Sequence, residues 1–136
     1  MPQKRKKIFC IECQKNVGAR LTNGYEVYSH RKDLGELPFW ICDKCKNFVG
    51  CHHKTQNRTK PLGCIPNPHM TLARKEIHKL LDPMWRPDKK KRLRIYAALS
   101  RHLGRKYHTA QLRTIEEARE VYRQLLKMKR KGVNNI

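Results

Sequence analysis

The sequence predicts an α+β fold: an N-terminal four-cysteine zinc ribbon made of β-hairpins, packed on a C-terminal three-helix half. Two Cys-x-x-Cys pairs support the ribbon, because each pair can present two thiolates from one tight turn and four thiolates suit structural zinc. The cysteines are Cys10, Cys13, Cys42 and Cys45. Apolar residues recur with the period of a half-buried strand in the first half of the chain, and with the helical period of about 3.6 residues after Asn67.

Length and charge limit the possible functions. The chain has 136 residues, enough for one modest domain or two small modules, and its 32 Lys and Arg against 11 Asp and Glu leave a net charge of +21. This excess predicts a phosphate polyanion as partner first and an anionic membrane second. We divide the chain into a basic arm (1–8), a zinc ribbon with a basic loop (9–66) and a helical region (67–136).

The segment between the two cysteine pairs predicts a β-hairpin. Asn23-Gly24 lies between Val17–Thr22 and Tyr25–Ser29, and Asn-Gly is the strongest two-residue hairpin signal because both residues tolerate a positive φ. Such a hairpin would return the chain to the second pair. Two disulfides or four unrelated thiols are the alternatives to zinc, and a reducing compartment favours the metal.

Aromatic strands bracket the second cysteine pair. Phe39-Trp40-Ile41 leads into it and Phe48-Val49 leads out of it. We expect these residues to form the small core of the ribbon. Exposed aromatic rings in this region could alternatively stack on bases.

The loop 50–66 contains further potential ligands. Cys51, His52, His53 and Cys64 lie in it and His69 follows, so a second zinc site is conceivable, although the spacing matches no familiar ligand pattern. His52 or His53 could also act as a general base in a nuclease. Glu76 is the one acid within residues 46–81, however, whereas hydrolytic phosphodiester sites usually add carboxylates or further metal ligands.

The first helix is expected to begin at Asn67-Pro68 and to end at Asp82-Pro83. Asn is a good N-cap and Pro a good first helical residue, whereas a proline disfavours helix at the residue before it. The predicted inner face is Ala73, Ile77, Leu80, Leu81 and Met84.

Two further helices are expected. Asp88 caps one at about 89–103, which ends at Gly104, and a capping box at Thr114–Glu117 starts the other. The predicted inner faces are Leu93, Tyr96, Ala97, Ser100 and Leu103, and then Ile115, Ala118, Val121, Tyr122, Leu125 and Leu126.

The sequence indicates a cytoplasmic protein. No apolar segment follows the basic N-terminus as in a signal peptide, and no stretch approaches the ~20 apolar residues of a transmembrane helix. We therefore expect no membrane partner.

The candidate phosphate contacts are Lys and Arg side chains in four groups. They are Lys4, Arg5, Lys6 and Lys7; Lys54, Arg58 and Lys60; Lys89, Lys90, Lys91, Arg92 and Arg94; and Lys127, Lys129, Arg130 and Lys131. The third group lies at a predicted helix N-terminus, where cations oppose the helix dipole. This local cost favours an external partner for the group.

Several separated motifs resemble the zinc-finger-containing domain family of phage and prophage proteins. The motifs are Trp40-Ile-Cys42-Asp-Lys-Cys45-Lys-Asn-Phe-Val49-Gly50-Cys-His52, Thr59-Lys-Pro61-Leu62-Gly63, Ala73-Arg74, His78, Asp82-Pro-Met-Trp85, Tyr96-Ala-Ala-Leu99 and His108. The resemblance covers most of residues 10–115. It implies a zinc site formed by the four cysteines of the two pairs, and it implies no reaction. At Cys51 and Cys64 the sequence departs from the family's pattern, which weakens the case for a second zinc ion.

These observations predict a protein that binds nucleic acid, either DNA or RNA, and contains one structural zinc ion. The alternative is a protein-interaction module, a phage-encoded inhibitor or adaptor that engages a host complex. A metal-dependent nuclease using His52 or His53 is the third hypothesis.

Overall fold

The computed structural model describes residues 4–132. The chain forms two compact units, Met1–Asn67 and Pro68–Ile136, and each is described by itself below. The first contains a sheet and the second contains helices, in agreement with the predicted α+β class.

Unit 1 contains a four-stranded antiparallel sheet in the order β1-β2-β3-β4. The strands are β1 (Arg5–Cys10), β2 (Lys15–Asn23), β3 (Pro38–Ile41) and β4 (Phe48–Gly50). Each strand pairs with the next one in sequence, so short loops connect β1 to β2 and β3 to β4. These two loops contain the Cys-x-x-Cys pairs.

The predicted basic arm is wrong for residues 5–8, which belong to β1. Ile8 and Cys10 are buried on one face of this strand, and its register with β2 pairs Ile8 with Val17 and Arg5 with Arg20. The alternation that defines a half-buried strand therefore begins before the first cysteine. Residues 1–3 of the predicted arm lie outside the described residues.

The predicted hairpin at Asn23-Gly24 is also wrong. Asn23 ends β2 and caps a single helical turn, α1 (Gly24–Val27), by accepting a hydrogen bond from the Tyr25 N–H. The Gly24 N–H donates to the Leu37 carbonyl oxygen at 3.1 Å, so this corner lies against the segment that precedes β3. Asn23 and Gly24 thus form the start of a helix and not a two-residue turn. The strands β2 and β3 pair with each other, and the longer segment 24–37 connects them.

The core of unit 1 lies against the cysteine-bearing loops. It contains Ile8, Cys10, Ala19, Trp40, Cys42, Val49, Cys51 and Ile65. The Trp40 indole N–H donates to the Thr59 carbonyl oxygen at 2.7 Å, which ties the loop 50–66 to β3. Phe39 is buried as well, and Phe48 is half-buried with its ring edge-on to Phe39. These aromatics are core residues, as expected.

Unit 2 contains three long helices. They are α2 (Pro68–Trp85), α3 (Lys89–Leu103) and α4 (Ile115–Lys131). The side chains of Asp88 and Thr114 accept N–H groups of the first turns of α3 and α4, and Gly104 ends α3 in the left-handed conformation. These caps confirm the predicted starts of the second and third helices.

Helix α2 continues past the predicted end at Asp82-Pro83 and includes Pro83 in its last turn. A proline this close to a helix C-terminus removes one backbone hydrogen bond and leaves the preceding turns intact. The helix then ends at Trp85, and the Asp88 N–H donates to the Trp85 carbonyl oxygen at 2.8 Å.

The predicted inner face of α3 is wrong in part, because three of its five residues, Tyr96, Ser100 and Leu103, are half-buried and the other two are exposed. Ile95 and Leu99 are buried, whereas Leu93 is 69% exposed. Both sets of residues follow the helical period, so periodicity alone could not separate them. The observed face places Ile95 and Leu99 one turn apart in a core completed by Met70, Ile77, Leu81, Tyr107, Leu112, Ala118, Val121, Leu125 and Met128.

Candidate metal centre

The four predicted cysteine ligands form one cluster. The Sγ atoms of Cys10 and Cys45 are 3.5 Å apart, those of Cys13 and Cys42 are 3.8 Å apart, and all four lie within 4.8 Å of one another. Four sulfurs at ~2.3 Å from a tetrahedral zinc ion are ~3.8 Å apart. The cluster therefore fits one zinc ion.

Each cysteine pair lies in a tight turn at the end of a strand. Cys10 ends β1 and Cys13 lies in the loop to β2, whereas Cys42 follows β3 and Cys45 lies in the loop to β4. Cys10 and Cys42 are buried, and Cys13 and Cys45 are half-buried. Because β2 and β3 are neighbours in the sheet, their pairing brings the two loops together.

A backbone feature that sequence reasoning missed shapes both turns. Gln14 and Lys46 each follow the second cysteine of a pair, and they are the two non-glycine residues with positive φ in the described chain, at 52° and 66°. The left-handed residue reverses the chain after the second thiol. The Lys46 N–H donates to the Cys42 carbonyl oxygen at 2.7 Å and the Gln14 N–H to the Ile11 carbonyl oxygen at 3.3 Å. Neither position is a glycine, so no residue type signalled this conformation.

The thiols of the cluster differ in acidity. Burial raises the pKa of Cys10 and Cys13. Burial also acts to raise the pKa of Cys42, but backbone N–H groups of Cys45 and Lys44 point at its sulfur and lower that pKa overall. N–H donors stabilise a thiolate, which is the form that binds metal. A divalent cation in the cluster would favour the thiolate form of all four groups.

An ion-pair network supports the second turn. Asp43 lies between two of the cysteines and accepts from Arg5 at 3.0 Å and from Arg20 at 2.8 Å. Arg20, which is 15% exposed, also binds Glu26 at 2.8 Å. These hydrogen bonds hold the pKa of the Asp43 carboxyl well below its usual range. The network thus fixes the turn 42–45 to β1, β2 and α1.

The end of the loop 50–66 covers the first cysteine turn. The Ile65 N–H donates to the Phe9 carbonyl oxygen at 2.8 Å, and its carbonyl oxygen accepts the Ile11 N–H at 3.0 Å. Ile65 is fully buried and forms a bridge beside Cys10. The loop therefore shields the cluster from solvent on this side.

The other candidate ligands do not join a second cluster. Within residues 4–132, the group Cys10, Cys13, Cys42 and Cys45 is the one set of three or more potential ligands that lie close together. Cys51 and Cys64 are buried core residues, and burial raises the pKa of Cys51 to about 11. His52 and His53 are half-buried, and His53 Nδ1 lies 3.3 Å from the Cys51 carbonyl oxygen.

The donor set indicates a structural role for the metal. Four sulfur ligands complete the tetrahedral shell of zinc, which leaves no position for the water or substrate that a catalytic zinc ion needs. The ion would instead join the two loops of the sheet, so that metal binding contributes directly to folding.

The predicted phosphate contacts lie in separate places. In unit 1, Arg5 is bound to Asp43, whereas the others are exposed side chains just before β1, on β1 or on the loop 50–66. In unit 2, one group lies in the first two turns of α3 and the other in the last turns of α4. Sequence reasoning missed an aromatic contact there: the Arg92 guanidinium lies 4.4 Å from the ring centroid of Tyr96 and 5.4 Å from that of Trp85.

A family described as a zinc-finger-containing domain matches residues 6–131. Curated proteins and solved structures gave no match. No helix in the described part of the chain is long and apolar enough to cross a bilayer.

Proposed function

The chain belongs to the zinc-finger-containing domain family, and we propose that it binds nucleic acid, with one zinc ion holding unit 1 in shape and surface cations contacting phosphates. The proposal is carried by the first two turns of α3, where Lys89, Lys90, Lys91, Arg92 and Arg94 follow one another almost without interruption. Positive charge at this end of a helix opposes the helix dipole, so the cluster reduces the stability of the isolated chain.

Four cations of this cluster form no ion pair in the described part of the chain. No ion pair there includes Lys89, Lys90, Lys91 or Arg94, whereas Arg20, Arg31 and Arg105 all pair with carboxylates. Phosphate oxygens would supply the missing partners, and the release of counterions from nucleic acid would drive much of the affinity.

Aromatic rings beside the same cluster add a surface for bases. Trp85 and Tyr96 are half-buried, and Arg92 lies over both rings. Aromatic faces and guanidinium planes stack on unpaired bases in many single-strand-binding proteins. This arrangement favours a single strand over a duplex as the ligand.

The test compares two variants of equal net charge. One replaces Lys89, Lys90, Lys91 and Arg94 by Gln, and the control replaces Lys32, Lys75, Lys79 and Arg101 by Gln. Binding to labelled single- and double-stranded DNA and RNA is measured between about 50 and about 200 mM salt. We expect the wild type to bind less tightly at high salt. The α3 variant should lower the slope of log affinity against log salt by about one per lost contact, and more than the control does.

Two results would contradict the proposal. If the wild type binds none of the four nucleic acids, the function is wrong. If both variants weaken binding equally, net charge alone accounts for the affinity and the assignment to α3 is wrong. Zinc measured in every preparation ensures that unit 1 is folded in each comparison.

A groove on unit 2 favours a second candidate, a protein-interaction module. Helices α2 and α4 line a groove of about 670 Å³ whose lining includes Tyr122 and Leu72, and Leu72 is 61% exposed. Arg119, Arg123 and the carboxylate of Glu76 also line it, so two cations and one carboxylate leave the lining with a net charge of +1. This chemistry suits an amphipathic helix of a partner protein with carboxylates beside its apolar face. An acidic amphipathic model peptide should bind the wild type and not Leu72→Asp, and equal binding to both would remove this candidate.

A further inference from the structure

A basic pocket lies between the end of α3 and the start of α4. It has a volume of about 390 Å³ and is lined by Arg105, Lys106, Gln111, Arg113 and Glu117. None of these cations belongs to the groups that the sequence singled out. Three cations and one carboxylate leave the lining with a net charge of +2.

The segment that carries the pocket is held in place by buried contacts. Tyr107, next to Arg105 and Lys106, is 1% exposed, its N–H donates to Ser100 Oγ at 2.9 Å, and its hydroxyl lies 2.5 Å from Thr109 Oγ1. Further along, the Ala110 carbonyl oxygen accepts from the Arg74 guanidinium at 2.8 Å. The pocket is therefore formed before a ligand binds, which lowers the entropy lost on binding.

The single carboxylate in the pocket is already bound to the protein. Glu117 accepts from Arg105 at 2.5 Å and from the Arg113 N–H at 3.0 Å. Burial acts to raise the pKa of Glu117, but these donors outweigh it and lower that pKa, so the group is ionised at neutral pH. The carboxylate repels a bound anion, and the net charge of +2 for the lining already includes this negative charge. It also fixes the Arg105 guanidinium at the wall of the pocket.

We propose that this pocket binds a phosphate monoester dianion, the terminal phosphate of a nucleic-acid strand. This inference rests on the proposed function. A terminal phosphate has a second pKa of about 6 and thus a charge near −2 at neutral pH, which matches the lining, whereas an internal phosphodiester carries one charge. A terminal phosphate also has three free oxygens for Arg, Lys and amide donors. An internal phosphate must let the strand leave the pocket on two sides.

The test compares two oligonucleotides of one sequence, with a 5′-phosphate or a 5′-hydroxyl, bound to the full zinc-loaded protein. We expect the phosphorylated strand to bind about tenfold more tightly, the equivalent of about one charge-assisted hydrogen bond. The double variant Lys106→Gln, Arg113→Gln should lose this preference. The control Lys75→Gln, Arg101→Gln removes the same charge from other exposed positions and should keep it.

The failures of the two proposals are distinguishable. Equal affinity of the wild type for both strands would overturn the pocket assignment and leave nucleic-acid binding intact. If neither strand binds, the proposed function is wrong, and a titration with adenosine 5′-monophosphate then tests the pocket alone. Binding of that nucleotide by the wild type and not by the double variant would retain a phosphate site but reject the strand end as its ligand. No binding would overturn the pocket.

Discussion

Gln14 and Lys46 occupy the left-handed region although neither is a glycine. A side chain in this region costs about 1–2 kcal/mol, because Cβ approaches the following carbonyl oxygen. The same position recurs after both cysteine pairs, so the turn that presents two thiols requires it. The metal and the strands on either side offset this cost.

Substitution of Lys46 by Val tests the strain. A β-branched residue tolerates positive φ poorly, so Lys46→Val should destabilise unit 1 by about 1–2 kcal/mol relative to Lys44→Val. Both changes remove one lysine from the same turn, and Lys44 has ordinary φ. Denaturant unfolding of the zinc-loaded protein measures the difference, and equal stability of the two variants would contradict the role of the turn.

Removal of a ligand tests the metal site. Cys42→Ser should lose the bound zinc and the structure of unit 1, since a structural metal contributes folding free energy directly. Cys51→Ala is the control, because Cys51 is equally buried but lies outside the cluster. We expect this control to retain about one zinc ion per chain. A Cys42→Ser protein with unchanged zinc content and melting temperature would rule out the site.

The sequence identifies the ligands but not the backbone that presents them. Two Cys-x-x-Cys pairs specify thiol chemistry by residue type and spacing, and both can be read directly from the sequence. The left-handed turns and the Arg20–Asp43 pair carry no such signal, because Gln14 and Lys46 are ordinary residues at those positions and Arg20 is 23 residues from Asp43. Local pattern therefore predicts which atoms bind the metal, and tertiary structure decides how they are held.

At the scale of elements, Gly24 marks where β2 ends and α1 begins. A Cβ at this position would overlap the Leu34 carbonyl oxygen, which is backbone and cannot move cheaply. Gly24→Ala should thus destabilise unit 1 by about 2 kcal/mol or more. Gly18→Ala, within β2, is the matched control, since its Cβ would lie 3.9 Å from the nearest atom, and it should be neutral or slightly stabilising. Thermal unfolding of the two variants checks whether Gly24→Ala is the less stable one.

This glycine also explains why the hairpin prediction failed. Asn-Gly predicts a two-residue turn from local preference alone. Here the close approach of Leu34 requires a residue without Cβ, and Asn23 is used as a helix cap. The strands β3 and β4, bounded by aromatic residues, and the capped starts of α3 and α4 were predictable because their signals are local.

The Arg20 network should matter more than an exposed pair of the same chemistry. Arg20 is 15% exposed and binds two carboxylates, whereas Arg31 is 53% exposed and, among the described residues, has its one ion pair with Asp33. Arg20→Gln should cost unit 1 about 1–2 kcal/mol, a value reduced for the exposure of Asp43, and Arg31→Gln should cost clearly less because solvent screens its ion pair. Denaturant unfolding compares the two, and equal losses would show that the network does not support the second cysteine turn.

At the scale of the whole molecule, each unit has its own core, and within residues 4–132 the metal cluster lies in unit 1. Protons compete with zinc for thiolates, so acid or a chelator should unfold unit 1. In unit 2, the pH dependence of stability comes instead from the lowered pKa of Glu117. The contribution of Glu117 to the stability of unit 2 is complete above the unfolded carboxyl pKa of about 4.3, and it is lost as the pH falls through the lower pKa of the folded state.

Titration from neutral pH downward should therefore release zinc while the helical circular dichroism signal persists. Chelation at neutral pH should give the same intermediate state. The zinc content and the far-ultraviolet signal are measured on the same samples. Simultaneous loss of both signals under either treatment would contradict the independence of the two cores.

The distribution of charge between the two units was predictable from the sequence, whereas the arrangement of the charged side chains within a unit was not. Residues 71–136 contain 19 of the 32 Lys and Arg side chains, so the sequence already points to the helical unit as the more basic one. The pocket around Arg113 could not be anticipated, because it depends on how the segment after α3 folds back to the start of α4.

The outer edge of β1 has a consequence for how copies of this protein behave at high concentration. Ile65 pairs beside Cys10 at one end of the strand, whereas Arg5, Lys6 and Lys7 occupy the other end, whose outer side no described strand covers. Lysines on an open strand discourage addition of a strand from another molecule. Substitution of Lys6 and Lys7 by Thr should therefore increase light scattering on storage, and unchanged scattering would contradict a protective role of these two side chains.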